Sequence, residues 1–218
     1  MNLVSSEFLE SRGLYGLHVG CRDIIAPKWI NTDISPPPNG EGLSTVSPGL
    51  SEFPGGAYFL LHDATKPFPI EEGTLDRIYS EHFIEHLTLA EGIEWLREMR
   101  RLLRVGGVLR ISTPDLSRYA EGYTDSKNKF YERHREQLMT VILAVPKRKA
   151  WMMNQIFQEW GHRWIYDFEE LTYAAARAGF GKEHVVRRQY REGSCPRLSE
   201  MDREFRRDES LYVELVRT

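Results

Sequence analysis

The sequence predicts a single α/β domain that is built around a mostly parallel β-sheet. Five short apolar runs alternate with helical patterns or long connections, an order typical of parallel strands joined by crossovers. Two later runs, residues 184–190 and 210–216, have the pattern of an antiparallel strand pair. The 218 residues contain neither an internal repeat nor a linker that would divide the chain, so we expect one domain over residues 1–218.

Each of the five strands is predicted from an apolar run that ends at a turn-forming residue. The runs are residues 15–20, 29–34, 58–61, 75–80 and 108–112. Gly20 ends the first run, whereas prolines follow the second and the fifth and prevent further pairing. Only about nine residues separate the first two strands, so any helix between them is limited to a single turn.

Helices are predicted where apolar residues recur every three or four positions. Residues 3–14 have this pattern, and residues 91–103 repeat it before Gly106-Gly107 ends the helix. Residues 168–178 form a further helix, which Asp167 caps.

Three other segments are distinguished by their composition. Residues 36–56 are rich in Pro, Gly and Ser and lack sustained periodicity, which predicts a long loop. Residues 127–150 are basic and surround an apolar run at 138–145, which predicts a helix ending at Pro146. This basic segment either recognises an anionic acceptor or packs on the sheet or on a second subunit, as in a homodimer. The mixed charges at 197–209 are interpreted as a solvated surface.

Composition excludes several classes of protein. Hydrophobic residues make up 41% and charged residues 28%, which is ordinary for a globular chain and unlike a disordered or fibrous one. No apolar run is long enough to span a bilayer, and the N-terminus lacks a basic-then-apolar signal pattern. Cys21 and Cys195 cannot form a disulfide framework, so we expect a cytoplasmic protein. Because no spanning run is present, we expect no membrane partner. The net charge of −3 argues against a dedicated nucleic-acid binder.

Polar and small residues follow the predicted parallel strands, where ligands of such sheets bind. Gly20 lets a ligand approach the backbone because it has no Cβ. Asp33 ends the second strand, where a carboxylate can accept ribose hydroxyls, and Asp63 follows the third, where it can accept from a purine amine. Each residue alone is also typical of an ordinary turn. In this order they predict a nucleoside site.

The order of these motifs resembles the class I S-adenosylmethionine (SAM) dependent methyltransferases, and within them a short bacterial group met near polysaccharide and natural-product genes. The motifs are LHVGC, WINTDI, HDATKPFP, LDRIYSEHFIEHL and EMRRLLRVGGVLRISTPD, and the resemblance covers residues 17–180. It implies a Rossmann-like three-layer α/β/α sandwich with a mostly parallel seven-stranded sheet and an antiparallel last strand. It also implies a helical lid or insertion around residues 117–160.

The resemblance assigns a cofactor site to the strand ends. The implied SAM-binding residues are Val19, Gly20 and Cys21 for the methionine part, Asp33 and Ile34 for the ribose, Asp63 and Ala64 for the adenine, and Ser80 and Glu81 near the transferred methyl. One position departs from the group, because Arg22 stands where a glycine is usual. Its guanidinium would either pair with a carboxylate or narrow the pocket.

The segment His82-Phe83-Ile84-Glu85-His86 is the sharpest local pattern. On a helix, His82, Glu85 and His86 would share one face and could bind zinc as in a hydrolase, or another divalent cation as in quinone-type O-methyltransferases. The third interpretation is that Glu85 and His86 brace the turn while His82 faces the cleft. A hydroxyl acceptor benefits from a general base, for which His82 is the first candidate and His18 the second.

Acceptor contacts are implied downstream. In the related group a segment like residues 159–167 borders the acceptor pocket, which assigns His162, Trp164 and Tyr166 to substrate binding. The alternative places Trp164 and Tyr166 in the core. We therefore expect transfer of a methyl group from SAM to a hydroxyl or amine of a small-molecule acceptor: a sugar, nucleotide-sugar or secondary metabolite. A SAM-fold protein that binds without transfer, and a metal-dependent hydrolase, remain the alternatives.

Overall fold

The computed structural model describes residues 4–37 and 44–218, which form one nine-stranded sheet flanked by helices. The strands are β1 (Leu17–Val19), β2 (Ile30–Asp33), β3 (Ser44–Ser47), β4 (Leu50–Glu52), β5 (Tyr58–Leu61), β6 (Leu75–Glu81), β7 (Leu103–Pro114), β8 (Val185–Arg188) and β9 (Ser210–Val216). Their order across the sheet is β3-β4-β5-β2-β1-β6-β7-β9-β8. The central strands β5, β2, β1, β6 and β7 are parallel, and the antiparallel pairs lie towards the two edges. The Rossmann-like α/β fold class is confirmed.

The described part of the chain has nine strands where seven were expected, because the predicted loop at residues 36–56 contains a hairpin. Strands β3 and β4 pair with each other, and β4 pairs with β5. The first three residues of β3 are exposed, so the strand has no buried face that would give an apolar alternation. Residues 38–43 of this segment lie outside the described residues.

The helices are α1 (Ser6–Arg12), α2 (Leu89–Leu102), α3 (Leu116–Thr124), α4 (Phe130–Leu138), α5 (Lys149–Gln158), α6 (Phe168–Arg177) and α7 (Pro196–Ser199). Local capping explains where α2 and α6 begin. Thr88 and Glu91 form a reciprocal capping box at the start of α2. The Glu170 backbone N–H donates to the Asp167 side chain at the start of α6, as the sequence predicts. None of the helices in the described ranges combines the length and hydrophobicity that a bilayer crossing requires.

One face of the sheet packs against α2 and α6 to form the main core. It is lined by alternate residues of the central strands, such as Val19, Ile78 and Leu109, all fully buried. Trp95 of α2 and Leu171 of α6 pack into the same cluster. Each buried aliphatic side chain contributes about 1.5–3 kcal/mol, so this face anchors the sheet to its helices.

The opposite face of the central strands is buried and polar. It carries His18, Asn31, Tyr79 and Arg110, which alternate with the core residues and are almost inaccessible. Residues 189–203, including α7, cover this face: Leu198 packs with Trp29 and Tyr79 in a separate cluster. The interpretation of residues 197–209 as a solvated surface holds only in part, since Asp202 and Glu209 are buried whereas charged residues such as Arg197 and Glu204 are exposed.

The basic segment 127–150 is organised differently from the sequence prediction. Helix α4 ends at Leu138, and the apolar run that follows it contains turns instead of a helix, with Leu143 fully exposed. The run has no polar face to alternate with its apolar residues, and Pro146 restricts the residue before it to extended backbone. Helices α3, α4 and α5 pack around Tyr119 and Met152 in a cluster of their own, between β7 and α6 in the chain.

Candidate functional site

The carboxyl ends of β1, β2, β5 and β6 meet at one edge of the sheet. Val19 aligns with Thr32 on one side and with Ser80 on the other. The backbone N–H groups of Gly20 and Cys21 both donate to the Thr32 carbonyl, at 3.0 and 3.1 Å. The N–H of His62 donates to the Asp33 carbonyl, so Asp63, the next residue in the chain, lies beside the end of β2. This register brings the proposed cofactor residues of four strands to the same edge.

The turn after β1 contains two residues in left-handed backbone conformation. Gly20 has φ of 70° and Arg22 has φ of 52°. Arg22 thus has a backbone conformation that glycine adopts more easily, in agreement with the glycine that is usual at this position in the related group. The Arg22 N–H donates to Asp33 Oδ2 at 2.9 Å. A Cβ on Gly20 would lie 2.9 Å from the Phe83 ring. The space that glycine leaves is therefore filled on this side by Phe83.

The carboxylates of Asp33 and Asp63 lie at this edge and can each accept more hydrogen bonds than the protein donates to them. Asp33 accepts backbone N–H groups from Arg22 and, at 3.2 Å, from Ser35. Asp63 Oδ1 accepts from the N–H and the hydroxyl of Thr65, and these hydrogen bonds lower the pKa of Asp63. Because each carboxylate oxygen has two lone pairs, both groups can accept further donors. The hydroxyl oxygens of Thr32 and Ser80, on the two strands that flank β1, are buried without a protein partner in the described chain.

The remaining proposed cofactor residues differ in their surroundings. Cys21 is buried, and burial raises its pKa to about 12, so the thiol stays protonated and unreactive. Ile34 is exposed, and Ala64 packs against the edge of the main core. Glu81 is already engaged within the protein, because the Tyr79 hydroxyl donates to it at 3.0 Å and Arg203 forms an ion pair with it.

The two candidate bases are held in different ways. Asn31 donates its amide N–H groups to three backbone carbonyls, which fixes its oxygen towards His18 Nδ1 at 3.1 Å. His18 Nδ1 is therefore the donor and Nε2 carries the lone pair, while burial lowers the pKa of His18 to about 4. In contrast, His82 Nε2 lies 2.7 Å from Ser210 Oγ, and His82 Nδ1 lies 3.3 Å from Glu85 Oε1. Burial also holds the pKa of His82 well below its ordinary value.

The His82–His86 pattern does not form a shared helical face. His82 has φ of 49° and precedes a single 3-10 turn, Ile84–His86. The Glu85 carbonyl accepts N–H groups from Arg163 and Trp164, at 2.7 and 3.1 Å. These bonds hold the downstream loop on the turn, and the structure therefore brings Glu85 and His86 together with His162, which the sequence pattern alone did not associate with them.

The three proposed acceptor residues lie in separate environments. Tyr166 is fully buried in the main core. Trp164 is 40% exposed and donates its indole N–H to Glu170 at 3.0 Å. His162 is half-buried beside His86, with ring centroids 5.1 Å apart, and burial lowers its pKa.

A cavity of about 380 Å³, which the sequence did not reveal, opens at the same edge of the sheet. It is lined by Arg118, Gln189, Tyr190, Glu192, Arg207, Asp208 and Tyr212. Tyr212 of β9 aligns with Ser112 of β7, which in turn aligns with Glu81 at the end of β6. Neighbouring strands are about 4.8 Å apart, so the cavity begins about 10 Å from the end of β6.

Comparisons with known proteins agree with this arrangement. Residues 30–111 match the family model described as a methyltransferase domain. No curated protein sequence matches the chain.

Solved structures share the fold at low sequence identity. An S-adenosylmethionine dependent methyltransferase from Mesorhizobium loti is 17% identical with a TM-score of 0.52, and the match covers 98% of both chains. A SAM dependent methyltransferase from Archaeoglobus fulgidus is 13% identical with a TM-score of 0.50, over 97% of this chain and 94% of its own. The CurJ carbon methyltransferase is 16% identical with a TM-score of 0.50; 95% of this chain matches 49% of that one, so the chain spans about half its length. At such low sequence identities, the structural likeness shows a common fold.

Proposed function

We propose that the chain is a class I SAM-dependent methyltransferase and transfers a methyl group from SAM to a hydroxyl or amine of a small molecule, which its matched domain and its fold support. The observation that carries the proposal is the convergence of Asp33 and Asp63 with the turn at residues 20–22 on one sheet edge. That edge is where parallel α/β sheets bind nucleotide-like ligands.

The residues at the edge have the chemistry to bind SAM. Asp33 retains lone pairs for a ribose diol, and Asp63 has acceptor capacity for an adenine amine. The hydroxyls of Thr32 and Ser80 are buried and have no hydrogen-bond partner in the described residues, so a bound ligand would satisfy them. When bound, SAM supplies a methyl group that is already activated on its sulfonium sulfur.

The contribution of the protein is then chiefly to hold the acceptor in line with that methyl group. His18 and His82 remain the two candidates for proton acceptance: His18 Nε2 carries a lone pair, but the residue is almost inaccessible and lies three strands from β9. Its lowered pKa keeps the imidazole neutral at pH 7. His82 directly follows β6, closer to the cavity, but both of its ring nitrogens lie against protein groups.

The acceptor is proposed to bind in the cavity beyond β7. Its volume of about 380 Å³ suits a small molecule. Tyr190 and Tyr212 offer aromatic faces, and Arg118 and Arg207 offer guanidinium donors beside acidic groups. This mixed lining supports a polyhydroxylated acceptor such as a sugar or nucleotide-sugar.

A labelling experiment tests the transfer itself. We expect the purified protein to move a labelled methyl group from SAM into one member of a panel of sugars, nucleotide-sugars and hydroxylated or amine-bearing metabolites. Tight SAM binding without transfer to any acceptor, either in the panel or in a complete metabolite extract, would support the binding-only alternative instead.

A substitution of Asp33 tests the placement of the ribose. Asp33→Ala should weaken SAM binding by about 1–3 kcal/mol, roughly 5- to 150-fold in Kd, because it removes a charged acceptor. The measurement is calorimetric titration with SAM. Asp23→Ala is the matched control, since it removes the same charge from an exposed position in the same loop and should leave Kd unchanged. Equal dissociation constants for Asp33→Ala and wild type would show that the ribose binds elsewhere.

A further inference from the structure

Glu85, His86 and His162 form a compact cluster beside the sheet edge. Each offers one ligand atom, and these atoms all lie within 4.8 Å of one another. Glu85 and His86 come from the turn after β6, whereas His162 comes from the loop between α5 and α6. The cluster thus depends on the fold and not on sequence spacing.

Both imidazoles are oriented by backbone carbonyls. His86 Nδ1 lies 3.4 Å from the Gly161 carbonyl oxygen, and His162 Nδ1 lies 2.6 Å from that of Ile156. A carbonyl can only accept, so Nδ1 donates in each ring and Nε2 carries the lone pair. A histidine whose second ring nitrogen donates to a carbonyl is the arrangement that orients metal ligands in proteins.

The two oxygens of the Glu85 carboxylate differ in their contacts. Oε2 accepts from the Thr113 hydroxyl at 3.0 Å. Oε1 is completely buried and makes no hydrogen bond of normal geometry in the described chain; its polar neighbour is His82 Nδ1, 3.3 Å away. Leaving a buried carboxylate oxygen unsatisfied is costly, and a bound cation would remove that cost.

The loop that carries His162 is held in place by its backbone. Arg163 and Trp164, which follow His162, both donate their N–H groups to the Glu85 carbonyl. Trp160 and Gly161 before it have φ of 64° and 75°, so two successive left-handed residues form the bend. The Trp160 side chain is tied to Gln155 at 2.8 Å. A strained bend of this kind persists only where the surroundings enforce it.

The charges around the cluster leave room for a cation. Arg206 acts electrostatically on Glu85, His86 and His162, but its Nη1 donates to Glu209 at 2.8 Å. The charge of Arg206 is thus offset by Glu209, and burial raises the pKa of Glu85 to about 8, so cation binding would displace a proton from Glu85.

We propose that Glu85, His86 and His162 bind one divalent transition-metal cation, with Zn²⁺ as the preferred ion and water in the fourth position. Two imidazoles and one carboxylate are a ligand set of zinc sites that keep an open position. Imidazole ligands favour zinc over magnesium, which prefers an all-oxygen shell. The site differs from the set predicted from the sequence pattern, because His162 replaces His82.

Equilibrium dialysis of the metal-stripped full-length protein against Zn²⁺, followed by metal analysis, tests the proposal. We expect one zinc per chain, and a visible d–d spectrum of four-coordinate cobalt when Co²⁺ replaces it. His162→Ala should weaken zinc binding on the order of 100-fold or more, since loss of an outer-shell partner alone costs up to about 100-fold. A matched control is His184→Ala, which removes a histidine outside the cluster and should keep full zinc binding.

Two further variants distinguish the competing interpretations. Glu85→Gln is nearly isosteric, so the variant should fold, and circular dichroism checks the fold of each variant. It should lose zinc because a neutral amide replaces the carboxylate ligand. His82→Gln should retain zinc if His162 is the ligand. The proposal is overturned if the stripped wild-type protein takes up no zinc, or if His82→Gln loses zinc while His162→Ala keeps it. Because neither SAM nor an acceptor is present, this outcome is independent of methyl transfer.

Discussion

Asp202→Ala is expected to lower the free energy of unfolding by about 3–5 kcal/mol, the cost of leaving a buried charge without its partner. Asp202 and Arg110 are both inaccessible to solvent, and Arg110 Nε donates to Asp202 Oδ1 at 2.8 Å. Urea-induced unfolding followed by circular dichroism measures the change.

The other partners of Arg110 cannot replace the negative charge of Asp202. The guanidinium also donates to the carbonyls of Gln189 and Glu192, at 3.1 and 3.0 Å, and lies 3.3 Å from Glu214. Glu214 is shared with Arg188, which lies 2.8 Å from it. Without Asp202, the buried network therefore has two guanidinium groups and one carboxylate.

An exposed ion pair provides the control for this prediction. Lys129 and Glu132 lie 3.0 Å apart with both side chains largely in solvent, so Lys129→Met should cost no more than about 1 kcal/mol. A loss of similar size for Asp202→Ala would mean that the Arg110 network does not hold residues 189–203 on the sheet.

The same network affects the proposed site. Arg203, the neighbour of Asp202, pairs with Glu81 at the end of β6. Tyr190 and Glu192 line the cavity beyond β7, and Glu192 is held by Arg110. Asp202→Ala should therefore also reduce methyl transfer under conditions in which the variant is still folded.

The elements that could be predicted from the sequence are those with a continuous or a periodic apolar pattern. Strand β5 buries three consecutive apolar residues and helix α2 buries helically spaced ones, and these patterns were sufficient to predict both elements. Likewise, the late antiparallel pair β8 and β9 is confirmed.

What the sequence could not show is how polar residues pair over long separations. Arg110 and Asp202 are 92 residues apart, and each alone is typical of an exposed position. The meeting of His86 with His162 depends in the same way on backbone bonds between distant loops. The hairpin of β3 and β4 was missed for a different reason. Strand β3 is mostly exposed, so it lacks the buried apolar residues whose alternation would predict a strand.

Gly16→Ala is expected to destabilise the protein by about 3 kcal/mol or more, because a Cβ at this position meets backbone. The added atom would lie 2.1 Å from the Arg77 carbonyl oxygen and 3.0 Å from the Trp29 ring. Arg77 belongs to β6, which cannot withdraw without breaking its register with β7. The same urea titration measures the loss.

The consequence for the site follows from the position of Gly16 directly before β1. The Ile30 N–H donates to the Gly16 carbonyl at 3.0 Å, so a shift away from β6 pushes β1 against β2. Strand β1 is only three residues long and leads into Gly20, so the displacement reaches the cofactor turn and should weaken SAM binding as well. Gly13→Ala is the control: Gly13 has φ of 60° but no heavy atom near its Cβ position, and should cost only about 1–2 kcal/mol for its left-handed backbone. If the two variants lose the same stability, the contact with Arg77 does not constrain β1, and the turn at residues 20–22 must be positioned by its bonds to Asp33 and Thr32 alone.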